Sequence, residues 1–86
     1  MTNHIHHEAA DLFGSEIALQ ASRLEPAMKP NEAQAVAKAA GDLRKQSGYP
    51  ENQRALIRSL PERTTLLLCR WVMDRRFASQ CITHAE

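Results

Sequence analysis

The residues best able to do chemistry lie near the two ends of the chain. His4, His6 and His7 crowd one end, and Cys81 and His84 sit three positions apart at the other. With the initiator Met removed, the chain begins Thr2-Asn3-His4. A free amine, two amides and a third-position imidazole suit the square-planar preference of Cu(II). His7 and Asp11 also share a helix face at i,i+4. Short His-bearing termini are usually frayed, however, and matches this short arise often by chance. The sequence therefore points to no metal and no cofactor. Cys81 and His84 bring a thiol and a base to one helical turn. Nucleophilic catalysis also needs an orienting group, an oxyanion site and a water-excluding cleft, and no residues are spaced to supply them. There is no glycine-rich phosphate loop, paired-Cys motif or His-Glu-x-x-His pattern. The expectation is a protein that is not an enzyme.

Arginine is the other chemically active type. Residues 1–43 carry three bases and six acids, and residues 44–86 carry eight bases, seven of them Arg, and four acids. Such polarity steers an anionic partner or aligns two copies head to tail. Arg54, Arg58, Arg70, Arg75 and Arg76 form the candidate set for a nucleic acid or a small anionic ligand held between subunits. Phosphate recognition needs guanidinium groups on one accessible face. The net charge is only +1, whereas nucleic-acid-binding domains are usually strongly basic.

One stretch resembles a known family. Leu60-Pro61-Glu62-Arg63-Thr64, followed by Leu66, Leu67 and Leu68, is similar to the helix that opens region 4 of bacterial sigma factors. A helix-turn-helix follows in that family, and too few residues follow here to form one. No DNA-reading residue is carried over, and membership is not inferred.

The elements that must position these residues read as helices in one domain spanning 1–86, with residues 1–4 as a tail. No stretch alternates like a strand. Ala9, Ala10, Phe13, Ile17, Ala21 and Leu24 recur at three- and four-residue steps, which predicts a helix from His4 to Glu25 capped by Thr2 or Asn3. Gly14 lies inside it, costing about 1 kcal/mol relative to Ala and inviting a bend. Asn31 with Gln34 resembles a capping box, opening a second helix with Ala33, Val36, Ala37, Ala40 and Leu43 inward. Arg44 and Lys45 suit its last turn, ahead of Ser47-Gly48. Pro50 starts a short third helix carrying Ala55, Leu56, Ile57 and Leu60. Ser59 with Glu62 reads as a second capping box, opening a long helix from Leu60 to Thr83. The expected fold is all-α, a compact bundle of three to four helices with a long C-terminal helix.

Size restrains stability. Of 86 residues, thirteen are Ala and only twenty-one are Leu, Ile, Val, Phe, Met or Trp. A chain this short buries roughly 60–65% of its unfolded surface, so self-association is a common supplement. Cys69 and Cys81, placed on one continuous helix, stand about 18 Å apart, beyond disulfide reach unless that helix breaks. Unpaired thiols, the absence of an apolar leader and the lack of a span of ~20 apolar residues fit a cytoplasmic protein without a membrane segment.

The last helix carries the functional expectation. Projected at about 100° per residue, Leu66, Cys69, Met73 and Phe77 fall on one side and Leu67, Trp71, Ala78 and Ile82 on the other. One apolar stripe is ordinary; a second is either wrapped inside the fold or meets another chain. The expected role is a regulator or inhibitor docking on a larger protein and pairing with itself as a homodimer through this helix. Leu67, Trp71, Ala78 and Ile82 are the anchors, with Arg70 and Arg75 as orienting charges.

Overall fold

The computed structural model describes residues 7–25 and 27–85, and among these it is almost wholly helical, with no strand. Six helices follow in order: α1 His7–Phe13, α2 Ser15–Ser22, α3 Pro30–Lys45, α4 Pro50–Arg58, α5 Glu62–Met73 and α6 Arg75–Ala85. The all-α class agrees with the periodicity. The number of helices does not, because each of the two long helices is broken. Thr2, Asn3 and His4, with the rest of the tail, lie outside the described residues.

The first break is at Gly14, whose φ of 94° and ψ of 150° are open to glycine and strained for other residues. It bends the chain without unravelling it: the Gly14 N–H still donates to the Ala10 carbonyl at 2.9 Å. The second break is at Asp74, extended at φ −138° and ψ 108°. Its N–H closes α5 on the Arg70 carbonyl at 2.9 Å. Its Oδ1 accepts from the N–H groups of Arg76 at 3.0 Å and Phe77 at 3.4 Å, capping α6. The predicted helix from Leu60 to Thr83 is therefore two helices meeting at a corner.

Two caps also differ from expectation. Lys29, not Asn31, is the N-cap of α3; its N–H donates to Glu32 Oε1 at 2.9 Å, and Pro30 takes the first helical position. Pro61, not Ser59, precedes α5, while Ser59 Oγ donates back to the Leu56 carbonyl at 2.6 Å. Pro50 opens α4 as its type suggests, after Gly48 at φ 89° has reversed the chain.

Packing centres on α5, which touches α1, α2, α3 and α6. Leu67, Leu68 and Cys69 are consecutive and all buried, so side chains about 100° apart each meet protein. That is why this helix is apolar on both sides: it is the wrapped central helix. Leu67 belongs to the core, not to a surface for another chain. Around α5, Ala9, Ala18, Ala21, Ala33, Ala39 and Ala40 are buried, and their small side chains let the other helices approach closely. On α3 it is Ala39 that is buried, while Ala37 is half-buried.

The interior forms two apolar clusters, one around Phe13, Leu43, Ile57, Leu68 and Cys69, the other around Val36, Leu67, Phe77 and Cys81. Half-buried Trp71 packs against both. The break at Asp74 removes the rigid span that separated the two cysteines in the sequence-based argument. Both thiols are nonetheless free, each in a different cluster. Burial pushes each thiol up to about 11.

One polar side chain ties the pieces together. Arg70 Nη1 donates to three carbonyls at the end of α2, those of Ala21, Ser22 and Leu24, at 2.9, 3.2 and 3.1 Å. Its Nε donates to Asp74 Oδ2 at 3.2 Å, and its guanidinium lies 6.0 Å from the centre of the Phe77 ring. Partial desolvation raises the Asp74 pKa, but bonds from Phe77, Arg70 and Arg76 outweigh it and hold the carboxyl below its ordinary 3.8. A depressed carboxylate contributes stability above its unfolded pKa and loses it as pH falls through the folded value. Arg70→Ala should therefore cost about 2–3 kcal/mol at neutral pH, from lost charged hydrogen bonds and stranded carbonyls. In urea melts the deficit should narrow, without closing, as pH drops below about 4. Equal stability of variant and wild type at pH 7 would contradict this role.

Candidate functional site

The corner at Asp74 turns α6 so that its first two turns face the C-terminal half of α3. Between them lies an open cleft of about 330 Å³. Its floor is apolar: Ala40 and Leu43 from α3, Leu68, Trp71 and Val72 from α5, and Ala78 from α6. Its rim is polar: Glu8 on α1, Arg44 and Ser47 at the end of α3, Gln53 on α4 and Arg75 on α6. The two alanines explain the space, since larger side chains at 40 and 78 would occupy it. Such a volume is near the lower end of ligand pockets, roughly 300–1,000 Å³, and an apolar floor with few polar groups is their usual make-up.

The rim is held in place by contacts outside the cleft. Gln53 Nε2 donates to the Leu43 carbonyl at 3.1 Å, fixing α4 against the end of α3. Arg54, the next residue, donates from Nε to the Asp11 carbonyl at 3.4 Å and links α4 to α1. Among the described residues the ion pairs are Arg63 with Glu32 and Arg70 with Asp74. Arg44 and Arg75 belong to neither, and both are exposed.

The structure divides the predicted anchors. Trp71, Ala78 and Arg75 line the same cleft. Ile82, one turn beyond Ala78 on α6, is 49% exposed. Leu67 is 1% exposed and packs with Val36, Phe77 and Cys81, so it drops out. Arg70 points inward, its guanidinium bound to the end of α2, and is a structural residue. The five arginines proposed for an anionic partner are likewise dispersed. Arg70 is committed to the fold and Arg54 bridges α4 to α1, while Arg58 is exposed on α4 and Arg75 and Arg76 on α6. No single basic face follows from the Arg count.

Arg44, Gln53 and Glu8 were not expected at a site. Arg44 reads in the sequence as a helix-end cation, and nothing local shows that α6 will return beside it. Among the described residues no group of three His, Cys, Asp or Glu is placed to hold a metal ion. The Thr2-Asn3-His4 copper reading and the His84 side chain lie outside what is described. Both thiols, buried and raised to about 11, are un-ionised near neutral pH and poor nucleophiles. No helix among the described residues is long and apolar enough to cross a membrane.

Searches against protein-family models, curated proteins and solved structures found no match.

The division of anchors has a measurable consequence. Leu67→Ala should cost about 2–5 kcal/mol of folding stability, as a large buried side chain leaves a cavity. Ile82→Ser should change stability by no more than about 0.5 kcal/mol. Urea melts of the two variants check this, and equal costs would contradict the assignment of Leu67 to the core and Ile82 to the surface.

Proposed function

We propose that this chain is a small non-enzymatic interaction module, a regulator or inhibitor that docks on a larger protein through the cleft between α3, α5 and α6. The observation that carries the reading is the placement of Trp71. It supports both core clusters and also lines the apolar floor of an open cleft, with Arg44 and Arg75, in no ion pair among the described residues, at the rim. Trp and Arg are the residue types most enriched where interface energy concentrates, and a rigidly backed Trp loses little freedom on binding.

Self-association belongs to the proposal in a reduced form. Along the described outer side of α6, Ile82 is the one large apolar side chain that is substantially exposed. A single such contact is little against the roughly 800 Å² per partner of a stable interface, so pairing is weak and the larger partner dominates. The nucleic-acid and small-anion readings have less support, because Arg70 is spent inside the fold and the other arginines are divided between α4 and α6.

Trp71→Ala is a poor test, because that side chain serves core and cleft together. Ala78→Arg instead places a long side chain across the cleft from a half-buried position. Capture from the native host with wild-type chain as bait should retain a discrete protein partner, identified by mass spectrometry, that the Ala78→Arg bait fails to retain. The variant should melt within about 8 °C of wild type, the shift expected for up to roughly 1 kcal/mol in a domain of this size. Identical partners on both baits would overturn docking through this cleft.

A further inference from the structure

Resting on that docking reading, we infer that the occupant of the cleft is an extended peptide segment of the partner, with an Asp or Glu beside a bulky apolar residue. A second open cleft, of about 400 Å³, lies between α1 and α4 and is lined by Leu12, Pro50 and Arg54, among others. Glu8 and Gln53 line both clefts, so the two compartments adjoin across a shared wall. A compact ligand is best held by one enclosed cavity. Two adjoining open compartments suit a chain that lays successive side chains into successive pockets.

Charge sets the direction. At the Trp71 end, Arg44 and Arg75 face the apolar floor without an ion pair among the described residues. A guanidinium presents a planar fork that matches a carboxylate with two parallel hydrogen bonds. Beyond the shared wall the balance reverses, because Glu8 and Asp11 outnumber Arg54 there. A polyanion lying along both compartments would meet those carboxylates, which disfavours a nucleic-acid strand. A peptide carrying one carboxylate at the Trp71 end meets two guanidiniums against the single carboxylate of Glu8, which lines both clefts. Its apolar neighbour would rest on the half-buried Trp71, Val72 and Ala78.

Trp71 is the only tryptophan in the chain, so its emission reports on the occupied cleft. The probes are capped synthetic peptides without tryptophan, built around a Glu-Phe-Leu core, with matched Gln-Phe-Leu and Lys-Phe-Leu versions. Decanoate and an oligothymidylate strand complete the panel. The Glu peptide should shift the Trp71 emission saturably, with a dissociation constant below about 1 mM and at least about tenfold under that of the Gln peptide. The Lys peptide should bind most weakly. Arg44→Glu/Arg75→Glu, checked for helix content by circular dichroism, should invert the order in favour of Lys. If that variant unfolds, Arg44→Ala/Arg75→Ala should still erase the difference between Glu and Gln. The inference is overturned if every peptide binds alike, or if none shifts the emission at about 1 mM. It is equally overturned if decanoate or the oligonucleotide binds more tightly than the Glu peptide, or if the chain alone shifts its emission with concentration by pairing. Should peptide selectivity fail while capture of a partner still depends on Ala78, docking stands and the acidic peptide is withdrawn. If both fail, so does the docking reading.

Discussion

The fold turns on one guanidinium. The side chain of Arg70 reaches from α5 to the end of α2 and binds three carbonyls there, while its other edge holds the carboxylate of Asp74. Helix ends leave backbone carbonyls without partners, and burying them unpaired is costly. An arginine can serve several acceptors because its donors are many and fixed in one plane. Asp74 in turn spends its second oxygen on the first N–H groups of α6. One network therefore closes α2, ends α5 and starts α6. The angle between α5 and α6 opens the cleft, so site and scaffold depend on the same few polar atoms.

This economy suits a chain poor in bulky side chains. Of the fifteen buried apolar residues among those described, six are Ala, and Phe13, Val36, Leu43, Ile57, Leu67, Leu68 and Phe77 supply most of the volume. Small side chains allow short distances between helices but bury little apolar area each, at about 25 cal/mol per Å². Fixed polar links between helix ends then carry more of the specification of geometry. Arg63 acts similarly at the other end of α5, donating to Glu32 Oε2 and to the Ala27 carbonyl, both at 3.2 Å. Among the described residues Arg44 and Arg75 have no such ion pair, which is why they stand out at the cleft.

Helical class was legible because period-3.6 patterns run through Ala9 to Leu24 and Ala33 to Leu43, with Pro50 marking a start. Gly14 was legible as a weak point, and it became a bend. The corner at Asp74 was not, since the apolar pattern continues across it through Met73 and Phe77 and neither Gly nor Pro interrupts. An aspartate is a favoured N-cap, yet in a charged run before Arg75 and Arg76 it reads equally well as a solvated side chain. Missing the corner made the wheel over residues 62–83 misleading, because 100° per residue no longer holds across residue 74. Leu67 read as exposed for a different reason, since a wheel does not show that α5 is wrapped by α1, α2, α3 and α6. Trp71, Ala78 and Arg75 do come together at one cleft, but through the turn of α6 and not along a stripe. The rim of Glu8, Arg44 and Gln53 depends on packing between distant helices, which local periodicity does not encode.

Backbone chemical shifts across residues 70–78 test the central claim that an Arg70-anchored corner at Asp74 makes the cleft. The account predicts helical ¹³Cα shifts through Met73, an extended-type shift at Asp74 and helical shifts again from Arg75. Asp74→Ala should move the Trp71 indole resonance as the corner relaxes. Uninterrupted helical shifts from Glu62 to Thr83 would mean one straight helix, no corner and no cleft, and would contradict the account.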